Sequence, residues 1–115
     1  MTTVVIYTKG NYISAVECSG HTGYAEEGWD IVCAAVSSII QTAVLGLMQV
    51  AKIAVDYKVE KDKKNSRLRV ALPKNMSDKE AHDADVILQT MYLGVSDLYQ
   101  EYSDYIKLEV KNDVY

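Results

Sequence analysis

"IVCAAVSSIIQTAVLGLMQVA", residues Ile31 to Ala51, carries no charge over a length that would span a bilayer, and its reading decides the fold. Against a membrane span stand Ser37, Ser38, Gln41, Thr42 and Gln49 within the run. Strand-like segments also flank it on both sides, as a sheet protein requires. The stretch therefore reads as a buried central helix, capped by Asp30 and ending near Ile53.

Upstream, Thr3 to Thr8 is β-branched and apolar, Lys9-Gly10-Asn11 has turn chemistry, and Tyr12 to Cys18 resumes a strand pattern with Ile13 and Ala15. This predicts a hairpin. Downstream, Val55 to Lys61 and Leu68 to Leu72 flank the polar "DKKNS", whose Asn65 and Ser66 suit a turn, and Pro73 ends this second hairpin. "SDKE", Ser77 to Glu80, matches a capping box, in which the serine oxygen and the glutamate carboxylate satisfy backbone donors at a helix start. Ala84, Ile87, Leu88, Met91, Tyr92, Val95, Leu98, Tyr99 and Tyr102 then fall at spacings of three and four, one apolar face over several turns. Finally, Ile106, Leu108 and Val110 alternate with Lys107, Glu109 and Lys111, a strand with one wet face.

The predicted order is β-β-α-β-β-α-β: an α+β domain with a mostly antiparallel five-stranded sheet and both helices on one face. The 115 residues are the size of one domain, residues 1–115. The helix from Asp30 is apolar around more of its circumference than one sheet face covers, so a homodimer is expected. With 49% apolar and 24% charged residues the composition is globular, and a net charge of −4 offers no basic field for nucleic acid. The start "MTTVVIYTKG" lacks a basic segment followed by a long apolar one, so a cytoplasmic location with reduced cysteines is expected.

Three of the six glycines, Gly20, Gly23 and Gly28, fall in the connection between the second strand and the first helix. The connection is longer than a hairpin needs, and its glycines suit a flap that closes over an extended substrate. With Asp30 as the cap, Cys33 is expected in the first helical turn, where unpaired N–H groups and the helix dipole favour a thiolate, the nucleophilic form of cysteine. His21, at the end of the strand that feeds the loop, is the candidate base: it would take the thiol proton and return it to a leaving amine, while first-turn N–H groups, including that of Cys33, bind the oxyanion. The residue types leave a plainer alternative open, in which Cys33 is a small buried hydrophobe. Ser37, four residues on, shares the helix face of Cys33 and either supports the site or bonds back to a carbonyl of its own helix; Asp30 either supports the site or only caps.

Other uses of these residues are weaker. Cys18, His21, Asp30 and Cys33 match no pattern of paired close zinc ligands, so no metal or cofactor is expected, and a Cys18 to Cys33 disulfide does not suit a reducing compartment. His82 reads as a solvated surface residue, "EKDKK" from Glu60 to Lys64 as a wet hairpin tip, and the tyrosines as core or interface.

At "GHTGYAEEGWDIVCAAVS", Gly20 to Ser37, the sequence closely resembles the ribosomal-processing cysteine protease Prp family of small bacterial proteins. The resemblance rests on Gly20-His21, Gly23-Tyr24-Ala25, Gly28, Asp30 and the block Ile31 to Ser37 at the family's spacing, with Thr22, Glu26, Glu27 and Trp29 at variable places. It implies removal of a short N-terminal extension from the large-subunit ribosomal protein L-twenty-seven. Cys33 is then the nucleophile and His21 the general base, with Gly20, Asp30 and Ser37 as supports, in a dimeric α+β protein. The resemblance also implies a substrate that is apolar and aromatic near the scissile bond, which suits a dry groove. Outside the enzymes, the remaining reading is a non-catalytic ribosome-assembly factor that binds the same extension.

Overall fold

The computed structural model describes residues 1–21, 29–61 and 65–113, with the side chains of His21, Trp29, Asp30 and Asn65 outside the description. Gly10 takes a φ of 60°, the left-handed geometry a tight turn needs, and joins β1 (Thr2–Lys9) to β2 (Tyr12–His21) as an antiparallel hairpin. Between Tyr7 and Thr8 the register shifts, so that Tyr7 pairs with Ala15 but Thr8 with Ile13. The shift reverses the alternation of β2. Ile13 and Val16, three apart, both reach the main core, while Ala15 is buried outside it. Ser14, the extra residue, is tied down by hydrogen bonds from its Oγ to Tyr7 O at 3.3 Å and Asp113 Oδ2 at 2.7 Å.

The sheet order is β3-β4-β2-β1-β5, with β3 spanning Asp56–Lys61, β4 Asn65–Ala71 and β5 Ile106–Asn112. Three of its pairings are antiparallel, and β5 adds to β1 in parallel, Val4 opposite Leu108. The expected architecture is the observed one, with that one parallel pair inside a mostly antiparallel sheet. Asn65 and Ser66 belong to β4 rather than to the turn assigned from their composition, because β2 is long enough for Gly20 and His21 to pair with them.

Helix α1 (Trp29–Leu45) and helix α2 (Asp78–Glu101) cover one face of this sheet. Val32, Val36, Ile40, Ala43, Val44 and Leu47 form the buried side of the long apolar run and pack with Val4, Val16, Leu68, Leu88 and Val95 in one core. The run from Ile31 to Val50 is apolar and long enough to cross a membrane, yet this inner side serves the core. From Gly46 to Val50 the helix widens into a π turn, with Ala51 N–H donating to Gly46 O at 2.9 Å, and Lys52 at φ 58° ends it short of the expected Ile53. α2 starts as expected: Ser77 Oγ accepts from Glu80 N–H, and Glu80 Oε1 accepts from Ser77 N–H, both at 3.1 Å.

Candidate active site

The end of β2 and the start of α1 meet at Gly20. This residue lies in the strand opposite Ser66 of β4 and beneath the helix, and a Cβ placed on it would stand 3.5 Å from Cys33 Sγ. With no side chain on Gly20, the space beside the sulfur stays open. Cys33 is half-buried, and it lines a cleft of 330 Å³ with Gly20, Ser37 and Gln41. Tyr57, Val59 and Leu68, which project from β3 and β4 toward the helix side, give this cleft an apolar wall. Lys61 and Arg67 also border it, the Arg67 guanidinium being paired with Glu17 at 3.3 Å.

The structure thus brings together Cys33, Ser37 and Gly20, three of the residues singled out in the sequence. His21 is the last residue of β2, paired with Asn65 and next in the chain to the glycine that borders Sγ; its side chain lies outside the described residues. Gly23 and Gly28 also lie outside them, as does the side chain of Asp30. The helix begins at Trp29, so Asp30 falls inside the first turn rather than at the cap, and Cys33 opens the second turn. An acidic residue suits either place, since both lie at the positive end of the helix dipole, and composition alone did not separate them. One consequence is that the Cys33 N–H, expected among the free first-turn donors, belongs to the helical ladder instead.

Ser37 does not bond back to its own helix. It accepts a 2.6 Å hydrogen bond from Gln41 Nε2, whereas Thr42 and Thr90 make the backward bonds, to Ser38 O and Val86 O, both at 2.7 Å. The two cysteines are both free and differ in setting. Cys18 is buried in the core, where loss of water, and secondarily the nearby Cys33, push its thiol from an ordinary 9.0 up to about 12. It is held as a neutral hydrophobe, and Cys33 is the cysteine that faces the cleft. Among the described residues no three metal-binding side chains cluster, although two members of the zinc set considered above, His21 and Asp30, have side chains outside them.

Sequence reasoning missed Gln41, Tyr57, Val59 and Leu68. Gln41 was legible as the next step of the spacing that gave Ser37 from Cys33, while the wall residues needed the strand register. A larger hollow of 730 Å³ at the opposite end of the sheet, bordered by Lys9, Tyr12, Arg69 and Lys74, holds neither cysteine.

Comparison with known proteins decides the assignment. The family model described as "Cysteine protease Prp" matches residues 1–107. The chain belongs to the Prp family. It is a cysteine protease, similar to the ribosomal processing cysteine protease Prp of Staphylococcus aureus at 26% identity over 99 residues, 86% of this chain and 88% of that one. Among solved structures, SMU.848 from Streptococcus mutans shares the fold with a TM-score of 0.85 and 22% identity, covering 98% of this chain and 96% of that one. The S. aureus Prp in complex with a substrate peptide superposes with a TM-score of 0.75 at 25% identity, over 96% of this chain and all of that one. The same S. aureus protease has also been solved with a covalently linked product peptide, with a TM-score of 0.73 to this chain. As a Prp family protease the chain takes a peptide substrate.

Proposed function

We propose that this chain is a cytoplasmic, single-domain endopeptidase that removes the short N-terminal extension of the large-subunit ribosomal protein L-twenty-seven. Cys33 is the nucleophile: its thiolate attacks the scissile carbonyl, forming a C–S bond as the carbonyl oxygen takes the negative charge. His21 accepts the thiol proton and passes it to the departing amine, and water then releases the acyl group from sulfur. Gly20 and Ser37 shape the site around Sγ, and Asp30 supports it from the first turn. No cofactor or metal enters the reaction. The observation that carries this reading is the half-buried Cys33, seated beside Gly20 in a cleft with an apolar wall of Tyr57, Val59 and Leu68. Such a wall suits an apolar or aromatic residue near the cleaved bond.

The test is to mix the purified protein with the extended ribosomal protein and follow its mass. Loss of the extension with wild type and none with Cys33→Ala is expected. Tight binding without cleavage would instead favour the non-catalytic assembly factor.

The active form in this reading is a homodimer. Ile31, Leu45, Met48 and Val50 stay exposed on the first helix and its π turn, as do Val86 and Leu93 on α2. An apolar hollow of 420 Å³ between the helices, lined by Ile39, Ala43, Ile87 and Met91, adjoins them. Apolar surface shared by two neighbouring helices suits a self-complementary contact. Light scattering is expected to give twice the chain mass, and Leu45→Glu to give the monomer.

A further inference from the structure

Thr2 is fully buried, and its Oγ1 is, among the described residues, the buried side-chain oxygen that has no hydrogen-bond partner. Its backbone is well held, with the N–H donating to Tyr105 O at 3.0 Å and the residue paired with Ile106 of β5. An orphaned hydroxyl in a well-ordered strand is unfavourable by the desolvation of a polar group, so its position calls for an explanation. The geometry around Gly20 gives one. The point that a Cβ on Gly20 would occupy lies 3.5 Å from Cys33 Sγ and 3.7 Å from Thr2 Oγ1. The sulfur and the hydroxyl therefore border the same small space, left open by the absent side chain of a residue that also lines the cleft.

We infer that Thr2 is a positioning residue for Cys33, its hydroxyl donating into the Gly20 space when the sulfur carries negative charge. A thiol gives that hydroxyl little to bond, whereas a thiolate is a strong acceptor, so the lone hydroxyl is matched to the ionised enzyme and unsatisfied in the resting one. Being fully buried, Thr2 cannot touch a peptide, and it acts through the sulfur alone. Serine would do the same work, and valine, of the same shape, would not. This inference rests on Cys33 as nucleophile, and the alkylation arm of its test needs no peptide.

The experiment compares wild type, Thr2→Val and Thr2→Ser by thermal melting, by the pH profile of Cys33 alkylation with iodoacetamide followed by mass at each cysteine, and by peptide cleavage. Thr2→Val is expected to melt no lower than wild type, because it removes an unpaired polar atom without changing shape. Its alkylation profile is expected to move upward by about one pH unit and its kcat to fall about tenfold with KM unchanged. Thr2→Ser is expected to restore both. A Thr2→Val protein with unchanged profile and rate overturns the inference; should valine fail to fold, Thr2→Ala takes its place, and an alanine variant with the profile and rate of Thr2→Ser overturns it. Cleavage by Cys33→Ala would overturn the proposed function instead, leaving the alkylation comparison to judge Thr2 by itself.

Discussion

Gln41 Nε2 donates to Ser37 Oγ at 2.6 Å, one helical turn along α1, and both side chains line the cleft that holds Cys33. Because the serine oxygen is engaged as an acceptor, its own proton is left to donate elsewhere, and Cys33 lies one further turn back on the same helix face. Cys33, Ser37 and Gln41 thus form a line at intervals of four residues. Ser37→Ala is expected to lower kcat about tenfold while leaving stability unchanged or raised by about 0.5 kcal/mol, since alanine is the better helix former. Gln41→Ala, which removes only the aligning donor, is expected to cost less. Steady-state kinetics beside a denaturation curve measures both; equal rates for Ser37→Ala and wild type would remove the serine from the site.

Gly20→Ala separates folding from chemistry at the same place. The added Cβ would meet Cys33 Sγ at 3.5 Å and Thr2 Oγ1 at 3.7 Å, ordinary contact distances, and Gly20 lies in extended strand where alanine is at ease. The variant is expected to fold with stability within about 1 kcal/mol of wild type, yet to lose most of its activity, because the methyl group fills the space beside the sulfur. A melting curve and a cleavage assay on one preparation check this, and an active alanine variant would mean that the glycine is needed only for packing.

The wall of Tyr57, Val59 and Leu68 predicts substrate preference. Val59 is half exposed and lines the cleft from β3, so Val59→Asp places a charge where an apolar residue of the peptide is to lie. The expected result is a rise in KM of about tenfold for a peptide with an aromatic residue near the cleaved bond, with a smaller effect on kcat. Comparing that peptide with one carrying alanine at the same position tests it: the preference of wild type is expected to vanish in the variant.

These residues also mark where the sequence stopped being readable. Ser77 and Glu80 declared the start of α2, and the alternation of Ile106, Leu108 and Val110 declared β5, because such signals lie within a few residues of one another. Cys33 and Ser37 could be placed on one face for the same reason. The parallel pairing of β5 with β1, the bond of Ser14 to Asp113 and the meeting of Thr2, Gly20 and Cys33 join residues far apart in the chain, and nothing local encodes them. Asp30 was misplaced by two positions, as helix ends are, and that shift decided whether the Cys33 N–H was free.

The contrast between the two cysteines gives a pH test with a fixed sign. Burial raises the Cys18 thiol from 9.0 to about 12 in the folded protein, so between those values the unfolded chain has lost the proton that the folded chain retains. The folded state then binds more protons than the unfolded one, and its stability falls as pH rises. The contribution is fully present below about pH 9 and is lost progressively toward pH 12. Denaturation midpoints measured across this range are expected to drop for wild type and to drop less for Cys18→Val, which keeps an apolar side chain in the core. At pH 8, iodoacetamide is expected to label Cys33 and to spare Cys18 until the protein is unfolded. Labelling of Cys18 in the native protein at a rate matching Cys33 would show that the core around it opens, and would place both thiols within reach of solvent.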